Sequence, residues 1–295
     1  EPTPAPRKAP VYTLPAVSQM KLPYHHVTGA DLHTVPQDLT LFSVLFIPFP
    51  ATLTSQDIAN LVPAVVNSIK DVQADIILVT GSPETTRLFA QEARMGAVIG
   101  EEGAVITDMA VSDITQSHAS VTLAPEKTLS VGWKALGDSG VLQSIASGGK
   151  SSSWGKTVTD GAERRLAHVT EVTAALESTP AAPALFALSA FEPAHTDWTA
   201  LTPRSWRSRY AWPLSASMKE GGWTDAYAMT HCSGETHAGP TWALGDKNVI
   251  EERVDFLYVK NLMSVETTVL HLGTLSIPTA DTPARMGVYG TFIAP

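Results

Sequence analysis

From residue 37 onward, apolar positions alternate between continuous β-rich runs and a helical spacing. Leu39–Ile47 (LTLFSVLFI), closed by Pro48 and Pro50, predicts a buried strand. Thr54-Ser55-Gln56-Asp57 offers a helix N-cap. The apolar positions that follow, Ile58, Leu61, Val62, Val65, Val66 and Ile69, share one helical face and predict a helix to about Val72. Ala74–Thr80 (ADIILVT) predicts a second buried strand, Gly81-Ser82-Pro83 a turn, and Glu84–Met95 a helix. Strands are expected at Gly103–Thr107, Ala119–Leu123 and Leu129–Lys134, and a loop at Gly148–Gly155. A helix follows over Thr159–Ser178, with Leu166, Val169, Val172, Thr173 and Leu176 on one face. Ala184–Ala190 reads as a short buried strand and Pro203–Ser217 as irregular. Val254–Val259, Glu266–Leu272 and Val288–Ile293 are late strands. Strands and helices mix without a linker or a repeat, which favours one α/β or α+β domain over residues 24–295.

The leader differs. Residues 1–23 hold six prolines and almost no periodicity, so they favour an extended, polyproline-like stalk. A Pro-rich stalk before a globular domain suits a cell-envelope setting, periplasmic or extracellular, with a lipid anchor through a removed N-terminus as one route. The 295 residues are 44% hydrophobic and 17% charged, enough apolar material for a sizeable core. The net charge of −9 argues against a general nucleic-acid binder, which needs a basic footprint. No apolar run is long enough to predict a transmembrane segment. Cys232 is the single cysteine, which excludes an internal disulfide and any multi-cysteine metal site.

The sharpest stretch is Gly221–Asn261. It carries Gly222-Trp223-Thr224-Asp225-Ala226-Tyr227, then Gly239-Pro240-Thr241-Trp242, then Glu252-Arg253-Val254-Asp255-Phe256. In this order and spacing the three elements resemble the C-terminal third of the endonuclease/exonuclease/phosphatase superfamily. Leu39–Leu45, Asp75–Gly81 and Ala184–Asp197 resemble its earlier strands, and the helix with Glu163-Arg164-Arg165 resembles the one before the third of these. The resemblance spans about residues 37–295. It implies a four-layer α/β/β/α sandwich of two mixed β-sheets flanked by helices, a fold that the strand pattern alone does not select.

The departures from that pattern bear on function. Where the resemblance implies a metal-side Asn at the end of the first strand, this chain has Leu45. Where it implies the main metal-ligating Glu after the second strand, the chain has Gly81. The Gly-Asp-Phe-Asn motif reads Ser189-Ala190-Phe191-Glu192, with Ala190 in place of the acid/base Asp and no Asn. No His lies within Leu129–Trp154, where the central strand is expected to carry one. The final Ser-Asp-His reads Pro283-Ala284-Arg285 or Ala280-Asp281-Thr282. Asp255 is kept, but the resemblance gives it the task of orienting the missing His. Phosphodiester hydrolysis needs a polarising cation in hard oxygen ligands and a base for water. The expectation is therefore a catalytically inactive relative, with no cofactor and no catalytic residues, that binds a protein or small-molecule ligand or serves a structural role. Trp242, Arg253 and Asp255 are expected as scaffold, the last two as a polar pair at a strand start.

Two alternatives stay open. An active Mg2+-dependent phosphodiesterase or phosphatase would need relocated ligands, for which Glu84, His231 and His237 are weak candidates. Glu84 reads equally well as a carboxylate opening a helix. A carbohydrate- or peptide-binding surface protein would use Arg204, Trp206, Arg207, Arg209 and Tyr210, whose guanidinium forks and rings suit phosphate or sugar. The glycines and lysines of residues 148–157 do not have Walker spacing.

Overall fold

Strand β1 (Thr40–Pro48) fills the first apolar run and sits inside a sheet, parallel to β2 (Ile76–Thr80) on one side and antiparallel to β14 (Ala284–Ala294) on the other. Its alternate side chains serve two different cores. Phe42, Val44 and Phe46 face one and Leu45 and Ile47 the other, which is why the run carries apolar residues on both faces. The computed structural model describes residues 39–50, 53–100, 102–136, 142, 151–178, 181–193, 212–231, 239–244, 250–276 and 284–295. They lie in the compact unit Asp38–Pro295. The Pro-rich leader and the expected boundary at residue 24 fall outside the described residues.

Among the described residues there are two sheets. The first has eight strands. Its order is β11 (Ile250–Glu252), β10 (Trp242–Leu244), β14, β1, β2, β4 (Gly103–Ile106) and β3 (Ala97–Ile99), with β13 (Met263–His271) also paired to β14. The second runs β5 (Val111–Ser112), β6 (His118–Ala124), β7 (Lys127–Ala135), β8 (Ala184–Ser189), β12 (Asp255–Lys260) and β9 (Thr224–Asp225). Each sheet is mixed, β7 and β8 being parallel. Phe42, Phe46, Leu78, Val121, Val131, Trp133, Leu185 and Val259 fill the space between the sheets. Each fully buried side chain of this kind stabilises by about 1.5–3 kcal/mol.

Helices close both outer faces. Helix α1 (Ser55–Ile69) starts at Thr54, whose hydroxyl accepts from Asp57 N while the Asp57 carboxylate accepts from Thr54 N, a reciprocal cap. It lays Ile58, Val62, Val65 and Ile69 on the first sheet, beside α2 (Pro83–Ala93). Helix α3 (Ser151–Leu176) lays Val169, Val172 and Leu176 on the second sheet, with Leu214 and Met218 of α4 (Pro213–Glu220). The order is thus helix, sheet, sheet, helix, as the resemblance implied.

Two sequence expectations shift. Residues 151–155, read as loop, belong to the backbone of α3. Gly155 and Gly161 each cost about 1 kcal/mol against Ala, and packing of the helix on the second sheet outweighs that. Residues 213–217, read as irregular, open α4, where Pro213 takes the first helical position that suits proline.

Candidate functional site

The position of interest is the end of the interlayer space where β2, β8, β12 and β14 finish or begin. After β2 the chain reaches Gly81 at φ +151°. A Cβ built there would lie 3.1 Å from Phe49 Cβ and 3.3 Å from Thr85 Cγ2. A glutamate at this point would have to displace that packing. Phe49, not Leu45, is the residue beside Gly81: Phe49 N donates to the Thr80 carbonyl. Leu45 sits mid-strand opposite Ile77, in the core under α1.

The turn after β8 is held from two sides. Ala190 is buried among the apolar residues under α3 and α4, and its N donates to the Val254 carbonyl. Phe191 has φ +52°, a left-handed conformation that costs on the order of 1–3 kcal/mol in a non-glycine residue. Glu192, only 1% exposed, accepts from Arg165 Nη1 at 2.8 Å and from Leu214 N at 3.3 Å. Arg165 also donates to the Ala190 carbonyl. Burial pushes the Glu192 carboxyl above the ordinary range, and the Arg165 charge and the Leu214 bond oppose it.

Asp255, at the start of β12, is also 1% exposed. Arg285 Nη2 donates to its Oδ1 at 2.5 Å and to Ser189 Oγ at 2.5 Å, and the guanidinium carbon lies 4.5 Å from the Phe191 ring centre. Thr241 Oγ1 accepts from Val254 N and Asp255 N. Burial raises the Asp255 carboxyl, against the opposing effects of Arg285, Ser189 and Thr241. This corrects two expectations. Asp255 does have a group to orient, and the group is Arg285. Arg253 does not pair with Asp255; its Nη1 donates to Asp225 at 2.5 Å, with Tyr227 and Phe256 rings each 5.1 Å from its guanidinium carbon. Residues two apart on an extended chain lie about 6–7 Å apart, and each found a nearer partner on another element.

The remaining motif residues build scaffold. Asp225 accepts from Tyr227 N and Ala228 N and so caps the short helix α5 (Ala226–Thr230). Gly239 has φ +50°, and a Cβ there would stand 2.2 Å from the Tyr227 ring, so the position demands glycine. Trp242 is fully buried and is the cross-strand neighbour of Arg285.

No protein-family model matches the sequence, and no curated protein matches it significantly. Solved structures do. D. rerio TDP2 complexed with a single-strand DNA product superposes with a TM-score of 0.52 at 12% identity, over 85% of this chain and 98% of that one. A functionally unknown conserved protein from Enterococcus faecalis V583 gives 0.54 at 12%, over 86% and 100%. An endonuclease/exonuclease/phosphatase family protein from Bacteroides thetaiotaomicron gives 0.50 at 11%, over 87% and 99%. This chain has the endonuclease/exonuclease/phosphatase fold.

On that fold the retained positions gather, and the described candidates Glu84 and His231 take other partners. Glu84 is exposed in the first turn of α2, where it accepts from Ser55 Oγ at 3.2 Å. His231 stacks on Tyr227 at 3.9 Å between ring centres, at the C-terminus of α5. His237, Cys232 and the candidates Arg204, Trp206, Arg207, Arg209 and Tyr210 lie outside the described residues. β7, within the stretch where the resemblance implies a His, ends at Ala135 opposite Ser189. Among the described residues no three His, Cys, Asp or Glu side chains converge. Among the described residues, this end holds two carboxylates, Asp255 and Glu192, each already bound by a guanidinium, the hydroxyls of Thr80, Ser189 and Thr241, and apolar groups. This donor set does not fit Mg2+, which asks for several hard oxygen ligands in octahedral array. Sequence reasoning missed the Arg285–Asp255 pair. The signal was present in Pro283-Ala284-Arg285, one of the two places considered for the final His-bearing motif.

Proposed function

We propose that this chain is a catalytically inactive protein of the endonuclease/exonuclease/phosphatase fold, with a binding or structural role in the cell envelope. The observation that carries this reading is the Arg285–Asp255 pair. The carboxylate that would serve a catalytic His is instead bound by a guanidinium, which stays protonated and cannot act as a base. Leu45, Gly81 and Ala190 add no base and no hard ligand. Loss of one member of a cooperative catalytic set costs about 10^4–10^6 in rate, and here several positions are changed together. The envelope setting rests on the Pro-rich residues 1–23, and the bound partner is a protein or small molecule. The testing experiment is a turnover assay on generic phosphodiesters, sphingomyelin, abasic DNA and 5′- and 3′-modified DNA ends, with Mg2+ and with chelator. The expected result is no chelator-sensitive turnover. Robust turnover by homogeneous protein would replace this reading with that of an active Mg2+-dependent enzyme.

A further inference from the structure

We infer that Arg285 is the resident cation of this cleft, a tethered guanidinium whose presence closes the site to divalent metal ions. The inference rests on the reading of the site as inactive, and extends it to what the site selects. The geometry is specific. One nitrogen of the guanidinium bridges Asp255 on β12 and Ser189 on β8, and the planar group lies against the Phe191 ring. Planarity, forked donors and a ring face suit guanidinium and give a spherical dication nothing comparable. The electrostatics point the same way. The Asp255 carboxylate is buried, so it needs a positive partner, and Arg285 supplies one permanently. Among the described residues, a dication added beside that guanidinium would meet a carboxylate already neutralised, and would leave buried net positive charge.

The consequence is a prediction about ligand choice. Arg285→Ala removes the cation and leaves Asp255 and Ser189 around a space of guanidinium shape. The thermal midpoint of that variant is measured with low-millimolar guanidinium chloride, with MgCl2 and with NaCl at matched ionic strength. The expected result is a midpoint below that of the wild type, restored by several degrees with guanidinium and unmoved by Mg2+. The double variant Arg285→Ala, Asp255→Asn should not respond to guanidinium. A folded Arg285→Ala protein that ignores guanidinium, or that is rescued by Mg2+ instead, overturns the inference. If Arg285→Ala does not fold, Arg285→Lys and the wild type decide, by calorimetric titration with MgCl2. Neither should give binding heat, and saturable Mg2+ binding by either overturns the inference. Mg2+ binding by the wild type without turnover defeats this inference alone, whereas chelator-sensitive turnover defeats the reading of inactivity.

Discussion

Asp255 and Glu192 are both buried, and each faces one arginine, Arg285 and Arg165 respectively. Removing one partner of such a pair strands the other charge, so Asp255→Ala is expected to lower stability by about 3–5 kcal/mol, read by urea denaturation. Glu192 makes a different prediction. Its folded-state carboxyl is raised by burial, so between the ordinary carboxylate range and the raised value the native state holds a proton that the unfolded chain releases. The stability contributed by that proton is present at acid pH and is lost as pH rises. Glu192→Gln mimics the protonated form, so its stability relative to wild type should improve from pH 4 to pH 7; a constant or declining difference between the two urea midpoints would contradict this. Of these residues the sequence revealed Asp255, through its motif. Its partner lies 30 residues away on the other sheet. That pairing depends on where β14 joins the first sheet, which no local pattern encodes, and Arg253 nearby in sequence was the misleading choice.

Elements with strong local signals were legible. The capping pair Thr54 and Asp57 and the apolar stripe that follows are sufficient to place α1, because the stripe must be buried and the cap satisfies otherwise orphaned amides. Thr54→Ala should therefore cost about 0.5–2 kcal/mol in a urea titration. Strands β3, β5, β9, β10 and β11 span only two or three residues each and carry too few positions to show a period. They exist because longer neighbours offer them hydrogen-bonding edges. The four-layer order was reached only through the family resemblance, since alternation along a strand cannot say which sheet the strand enters.

Over the whole molecule, the two sheets share an interlayer core that contains fully buried residues from β1, β2, β7, β8 and β12. Their amides should exchange only through global opening, so hydrogen exchange is expected to be slowest there and faster in β3, β5 and β9 at the sheet edges. Uniform protection across all strands would contradict that division. The pairing of β1 with β14 has a consequence of another kind. Thr40 is opposite Ala294, so the two ends of the fold are strand neighbours, about 5 Å apart. The first sheet is closed by residues separated by almost the entire fold in sequence. A chain emerging from the ribosome holds β1 and β2 together early, yet leaves one side of β1 unpaired until β14 arrives. Long-range closure of this sort slows folding, and for that interval β1 is an open apolar edge available to other chains. The same proximity offers a remedy. Joining Pro295 to Leu39 by a short Gly-Ser bridge, and opening the chain at the exposed turn Pro125-Glu126, would make β14 and β1 a local hairpin. Such a permutant should refold faster and aggregate less on dilution from denaturant than the chain in its natural order.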